Sequence, residues 1–195
     1  MAAPPQPQLG SAHVLLARAA ENSSLKLLLQ RRQGAGWECP GAQLSPAEAS
    51  QFFSTDNNAA RVSICFSAAL KGAAEDVGGA PDMPATLLLG NGRPEKLPPG
   101  LKLERCSLLQ SPRNATKQNW FFAYMLDMAV DGAYAAAWKP TPKSRKHVEI
   151  EWFDVSRVYA SLNVTDNSIP FVPWLREVLA SVSEQELRQR LGVGG

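Results

Sequence analysis

Two adjacent acidic residues, Glu75 and Asp76, lie near the end of the longest helical pattern in the chain and are the best-placed residues for chemistry. On a helix, positions 72, 75 and 76 are three or four residues apart, so their side chains converge on one face. Carboxylates in that arrangement suit Mg²⁺, which would neutralise a diphosphate and orient water for attack on phosphorus. Position 72 is a glycine, so two carboxylates remain. The alternative is that the acidic pair belongs to a solvated helix face.

The helix that carries the acidic pair is predicted over residues 58–77, because its apolar residues recur at three- and four-residue spacing. Asp56 or Asn57 can cap its N-terminus, and Gly78 and Gly79 end it. Glycine in a helix interior costs roughly 1 kcal/mol relative to alanine, so Gly72 does not serve helix stability. It either admits a close backbone or ligand, or records a relaxed site.

The rest of the pattern predicts an α/β (α+β) domain in which a mixed β-sheet is packed against helices. Apolar runs separated by turn residues predict two antiparallel strands, residues 13–17 and 25–30, followed by a loop rich in Pro and Gly. Further strands are expected at 85–89, 101–109, 120–130 and 148–153. A helix is expected over 172–191, interrupted near 181–183, where Ser183 and Glu186 make a capping box.

Bulk properties indicate one domain, residues 11–192, after a flexible Pro/Gln-rich tail over residues 1–10. The chain has 195 residues and a net charge of +2, which is too small to indicate a nucleic-acid partner by itself. Three widely spaced cysteines predict a reducing compartment and no zinc site. We expect no membrane span and a cytoplasmic location, with a mitochondrial one open because Glu21 is the first acid.

Two segments around the acidic helix resemble the Nudix box of the Nudix hydrolase superfamily. They are residues 40–48, with Pro40 and Gly41, and residues 69–78. The family's pattern is Gly, five residues, Glu, seven residues, then Arg-Glu-aliphatic-x-Glu-Glu-x-Gly. Glu48 matches the first Glu, Glu75 and Asp76 match the acidic pair, and Gly78 matches the closing Gly.

The box is incomplete. Ala42 stands in place of its first Gly, Lys71 in place of its Arg and Gly72 in place of the first helical Glu, and 22 residues rather than seven separate Glu48 from Lys71. Lys71 can pair with Glu75, but lysine lacks the bidentate fork of arginine. Asp76 reaches less far than glutamate would.

The resemblance implies a Nudix-like sheet sandwiched by helices and, if the chain is an enzyme, a hydrolase of a nucleoside diphosphate linked to another moiety. Mg²⁺ or Mn²⁺ would bind Glu75, Asp76 and the backbone of Gly41 and Ala42, with Glu48 in support and Lys71 near the substrate. The base missing at position 72 would have to come from elsewhere. Glu149 and Glu151 are the candidates, although a polar residue at a strand start, such as His147, is more often solvated.

The alternative function is a catalytically inactive Nudix-fold module within an RNA-protein assembly, for which a mitochondrial ribosomal protein of this fold is one precedent. Lys143, Arg145 and Lys146, on a Pro-rich connection, would then contact RNA or an acidic protein, or phosphates in the enzyme. A solubilising loop is the simpler interpretation of these three cations. A salt-bridged cleft would favour the module, and clustered acids with metal would favour the enzyme.

Overall fold

A computed structural model describes residues 8–19, 24–77, 107–110, 117–126, 147–162 and 168–193. Within these residues seven strands and five helices follow one another along the chain. The strands are β1 (Gln8–Ala19), β2 (Leu25–Arg32), β3 (Trp37–Glu38), β4 (Gly41–Gln43), β5 (Ser107–Gln110), β6 (Lys117–Leu126) and β7 (His147–Asp154). The helices are α1 (Pro46–Ser54), α2 (Asn58–Val77), α3 (Val155–Ala160), α4 (Pro173–Ala180) and α5 (Glu184–Arg190).

All seven strands belong to one mixed sheet, as the sequence predicts. Its main path runs β3-β2-β1-β6-β5, while β4 pairs with β1 and β7 pairs with β2. The β1–β6 pairing is parallel and the others are antiparallel. The predicted β1–β2 pair is present in longer form, and β1 begins at Gln8, inside the stretch that we expected to be a flexible tail.

Helices cover both faces of the sheet, which confirms the expected sandwich. Side chains alternate between the faces along each strand. One face packs against α1 and α2 through Val14, Leu28 and Phe122 and is called the α1–α2 face. The opposite face packs against α3, α4 and α5 through Leu15 and Leu27 and is called the α3–α5 face. Among the described residues, no helix is both long and apolar enough to cross a membrane.

Helix α2 has the predicted bounds, and its buried residues form the predicted apolar stripe. Of the two proposed caps, Asn57 performs the role, because its Oδ1 accepts from the backbone N–H of Ala59 at 2.9 Å. Phe66 of α2 packs edge to face on Phe122 of β6, with ring centroids 5.1 Å apart. This packing fixes α2 on the sheet and thereby positions the acidic pair.

Helix α1 lies in a segment for which the sequence analysis proposed no helix. Ser45 caps it: its Oγ accepts from the backbone N–H of Glu48, whose carboxylate accepts in turn from the N–H of Ser45. Pro46 occupies the first helical turn, where its missing N–H costs nothing. The Ser45-to-Glu48 spacing is a capping box, so the signal was present in the sequence.

The C-terminal helices cover the α3–α5 face. The helix expected over 172–191 is present as α4 and α5, with the predicted interruption and with Ser183 accepting from the N–H of Glu186 at 3.1 Å. Helix α3 was not predicted. Strands β5, β6 and β7 agree with predicted strands where they are described, whereas residues 85–89 and the connection with Lys143, Arg145 and Lys146 lie outside the described residues.

Candidate functional site

The helix that resembles the Nudix helix is packed directly onto the strand that precedes α1. An ideal Cβ built on Gly72 would lie 2.4 Å from the carbonyl carbon of Gly41, 2.5 Å from the nitrogen of Ala42 and 2.6 Å from its Cβ. Ordinary carbon contacts are about 3.5–4.0 Å. The sequence left two explanations of Gly72, a close approach of backbone or ligand and a relaxed site. The packing supports the first, because the missing side chain lets the backbone of β4 approach α2. No side chain fits at this position unless α2 and β4 separate.

Asp76 is held by two side chains from the sheet. Gln30 donates from Nε2 to Asp76 Oδ2 at 3.0 Å, and His147 Nδ1 lies 3.6 Å from Asp76 Oδ1. The side chain of Asp76 is 19% exposed. Both of its carboxylate oxygens thus face polar groups of the protein.

His147 links Asp76 to a second acid. Its Nε2 donates to Glu38 Oε1 at 3.0 Å, and the side chains of His147 and Glu38 are 6% and 10% exposed. The expectation that a polar residue at this strand start is solvated is wrong for His147. We call Gln30, Glu38, Asp76 and His147 the buried polar cluster.

A β-bulge brings His147 to the α1–α2 face. In the β2–β7 register Arg31 pairs with Glu149 and Arg32 with His147, so Val148 is the extra residue. One inserted residue reverses the face of every side chain beyond it. Without the bulge, His147 would share the face of Glu149. With it, His147 shares the face of Gln30, which lies opposite Glu38 in the β2–β3 pair.

Glu149, the candidate replacement base, lies on the other side of the sheet from the acidic pair. It forms a 2.9 Å ion pair with Arg31, whose guanidinium lies over the ring of Trp37 on the α3–α5 face. Glu151 follows two residues later and therefore shares that side. The structure does not bring either glutamate together with Asp76.

Glu48 and Glu75 do not converge on Asp76 either. The carboxylate of Glu48 takes part in the capping box of α1. It also lies near α2, because burial and, to a lesser extent, the charge of Glu48 raise the pKa of the Cys65 thiol to about 12. Glu75 and Lys71 are exposed on α2, and in the described part of the chain no ion pair joins them.

The residues implied to hold Mg²⁺ do not fit a metal site in this arrangement. The helix position beside Ala42 has no room for a ligand, Asp76 is engaged by Gln30 and His147, and Glu75 is exposed. Within the residues described, no group of three or more His, Cys, Asp or Glu side chains is arranged to hold a metal ion.

Sequence reasoning missed the pairing partners of Asp76. Gln30 follows the apolar run of residues 27–29, and Glu38 stands between Trp37 and Cys39, so each is a polar residue next to apolar ones. Buried polar groups need hydrogen-bond partners, which makes such positions candidates for internal pairing. Their mutual proximity depends on the strand register, for which the sequence carries no local signal.

A second histidine, His13, is partly buried on the α3–α5 face next to β4. Its ring stacks between Phe121 and Trp174, at centroid distances of 5.4 and 4.5 Å. Burial lowers its pKa to about 4, although a hydrogen bond to the Cys39 carbonyl at 3.3 Å acts in the opposite direction. Nδ1–H therefore donates to that carbonyl, and Nε2 lies 2.9 Å from Ser11 Oγ, which also has Asn119 Oδ1 within 3.3 Å. His13 is held on both sides by the protein and is a structural residue of this face.

Comparison with solved structures identifies the fold. A Nudix hydrolase from Alicyclobacillus acidocaldarius is similar with a TM-score of 0.55 and 15% identity, over 97% of this chain and 99% of that one. The NUDIX domain of Shewanella oneidensis NrtR, complexed with ADP ribose, is similar with a TM-score of 0.50 and 12% identity, over 95% and 90%. No protein-family model and no curated protein matches the sequence. The chain has the fold of the Nudix hydrolases, as the resemblance of its box implies.

Proposed function

We propose that this chain is a non-hydrolysing Nudix-fold module that acts by binding a partner. The close packing of Gly72 against the backbone of Gly41 and Ala42 carries the proposal. In the family's pattern this helix position holds a glutamate. Here the space for that side chain is filled by the chain itself, so a third carboxylate cannot be supplied from α2.

The buried polar cluster supports the same conclusion. A divalent ion bound by Asp76 would have to replace the Gln30 donor and displace the His147 ring, whose Nδ1 lies 3.6 Å from the carboxylate. Glu38 is itself buried and depends on His147 for its hydrogen bond, so moving His147 would leave that carboxylate unpaired. Leaving a buried hydrogen-bonding group without its partner costs about 1–3 kcal/mol, and more if the group is charged. Metal binding would therefore have to offset a substantial local loss.

The alternative is a Mg²⁺-dependent hydrolase of a nucleoside diphosphate derivative, such as the ADP ribose bound by the NrtR domain. It would use Glu75, Asp76 and the Ala42 backbone for the metal and Glu149 as the base. The ion pair of Glu149 with Arg31 on the opposite face argues against this assignment. No specific contact among the described residues favours the enzyme over the module.

For the partner, we propose RNA, contacted by Lys143, Arg145 and Lys146. The three cations fall within four residues, next to Pro142 and immediately before β7. Clustered lysine and arginine side chains bind phosphates with a strong dependence on salt. An acidic protein would present the same sign of charge, and its binding is the competing outcome of the test.

The first experiment tests hydrolysis. The protein is incubated with ADP ribose and either Mg²⁺ or Mn²⁺, and released phosphate monoester is measured beside Glu75→Gln and the control Gln51→Glu, an exposed change on α1. All three proteins are expected to give the background rate. Release by the unmodified protein that Glu75→Gln abolishes and the control retains would contradict the proposal.

The second experiment tests the partner. Binding of a fluorescent single-stranded RNA is measured as salt is varied, for the unmodified chain and for Lys143→Ala/Arg145→Ala/Lys146→Ala. The matched control removes three exposed cations elsewhere, Arg32, Lys71 and Arg157. Loss of three phosphate contacts should reduce the slope of log affinity against log salt by about 2. Unchanged slopes in the triple variant, or binding of an acidic peptide but not RNA, would exclude RNA at these residues.

A further inference from the structure

Two cations face each other near the end of the β1–β2 pair, away from the acidic helix. Arg18 of β1 lies directly opposite Lys26 of β2, and both are partly buried. Their chain neighbours Ala17, Leu25 and Leu27 belong to the core of the α3–α5 face. Because successive side chains of a strand point to opposite faces, Arg18 and Lys26 project to the α1–α2 face. His13 of β1 pairs with Gly41. Arg18 lies five residues further along β1, about 17 Å from His13. The pair is thus separate from the Nudix-like helix and loop.

The placement of these cations is unfavourable in the free protein. Directly opposed residues in antiparallel strands have Cβ atoms about 5 Å apart, and like charges there are destabilising. Burial lowers the pKa of the Arg18 guanidinium. Among the described residues, no acid forms an ion pair with Arg18 or Lys26. Asp154 lies opposite Lys26 on its other side, but it is exposed and forms no such pair.

The guanidinium is also oriented by an aromatic ring. Its Cζ lies 4.3 Å from the ring centroid of Trp152, which is partly buried on β7. A guanidinium stacked on a ring keeps its N–H groups in its own plane, where two of them can donate in parallel to an oxyanion. Trp152 therefore limits the motion of Arg18 without using its donors, and Lys26 adds a second positive charge across the strand pair.

From these contacts we propose that Arg18 and Lys26, with Trp152 as the support of Arg18, form a binding site for a phosphate group. The fork of Arg18 provides bidentate contact and the ammonium of Lys26 provides a point charge. A bound phosphate would place an anion between the two like charges and supply a counter-charge that no described carboxylate gives to Arg18. The site is independent of whether the Nudix-like helix is catalytic, because it shares no residue with it.

The test is phosphate binding measured by calorimetry at low ionic strength, with inorganic phosphate, pyrophosphate and AMP as separate probes. Replacing Arg18 by Met should weaken binding about tenfold to a hundredfold, the effect expected from losing hydrogen bonds to a charged group. Arg18→Lys keeps a cation near Trp152 but lacks the fork, so it should also lose affinity. Tighter binding of AMP than of phosphate would identify a phosphate ester as the ligand, and the reverse would identify the free ion.

The matched control is Arg157→Met on α3. Arg157 also lies over an aromatic ring, 5.6 Å from the centroid of Phe153, but on the α3–α5 face. The Arg157→Met variant should bind phosphate with the same affinity as the unmodified protein. Thermal unfolding gives a second measurement: at fixed ionic strength, phosphate in place of chloride should raise the Tm of the unmodified chain and of Arg157→Met by more than that of Lys26→Met, which shows only the general effect of phosphate on folded proteins. Absence of phosphate binding by the unmodified chain, or binding that persists in both Arg18→Met and Lys26→Met, would overturn the proposal.

Discussion

Replacing Gly72 by alanine should destabilise the protein, although alanine is the better helix former. In a helix interior the change from glycine to alanine contributes about 1 kcal/mol in favour of folding. The new methyl would meet two backbone atoms and the Cβ of Ala42 at 2.4–2.6 Å, roughly 1 Å inside ordinary contact. Overpacking of a filled site costs about 1–3 kcal/mol, and a clash with backbone belongs at the upper end.

The two contributions leave a net loss of about 1–2 kcal/mol. For a domain of this size, 1 kcal/mol corresponds to about 2–4 °C, so Gly72→Ala should lower the Tm by several degrees. The measurement is thermal and urea unfolding of the variant beside Lys71→Ala, an exposed change at the preceding residue of the same helix. Lys71→Ala should be close to neutral.

The double variant Gly72→Ala/Ala42→Gly locates the cause. Removing the Cβ of Ala42 takes away one of the three close contacts, so the pair should show a favourable coupling free energy, with incomplete rescue because the other two contacts are with backbone. If Gly72→Ala instead raised the Tm as helix propensity alone requires, α2 and β4 would not be closely packed. Position 72 would then have room for a side chain, and a third carboxylate on α2 would no longer be excluded.

Three further outcomes follow from other residues. His147→Ala should cost about 1–3 kcal/mol in urea unfolding, because it leaves the buried Glu38 without its hydrogen-bond partner, whereas a loss well below 1 kcal/mol would mean that Glu38 is solvated. Glu48→Ala should cost about 1 kcal/mol and Glu48→Gln much less, since glutamine retains the capping hydrogen bond; equal losses would contradict the capping role. Folding lowers the pKa of His13 from 6.5 to about 4, so between these pH values the unfolded chain binds more protons than the folded one. The free energy of unfolding should therefore decrease, by at most about 3 kcal/mol, as the pH falls from 6.5 to 4. His13→Phe should remove that part of the pH dependence, which an unchanged pH profile would refute.

The sequence predicted elements that depend on local pattern. The bounds of α2 followed from its apolar spacing and from Asn57 as its cap, and the β1–β2 pair from two apolar runs around a polar turn. Helix α1 was missed because Pro46 was weighed as a loop former rather than as a first-turn helix residue. The capping box of Ser45 and Glu48 was the stronger local signal.

The candidate site could not be predicted in the same way, because it depends on register. His147 reaches Asp76 only because a bulge at Val148 places it on the α1–α2 face, whereas Glu149 lies in the regular part of the register, opposite Arg31, and points to the other face. A one-residue shift reverses faces, and nothing in the strand's own sequence marks that shift. The glycine at position 72 was recognised as unusual, but which backbone it approaches became clear from the packing of α2 on β4.

The most direct test of the account is calorimetric titration of the purified chain with Mg²⁺ and Mn²⁺, beside Glu75→Gln/Asp76→Asn. The account predicts no sub-millimolar binding by either protein, because Gly72 leaves no room for a third carboxylate and the buried polar cluster engages Asp76. Sub-millimolar binding by the unmodified chain that the double variant abolishes would contradict it and restore the hydrolase.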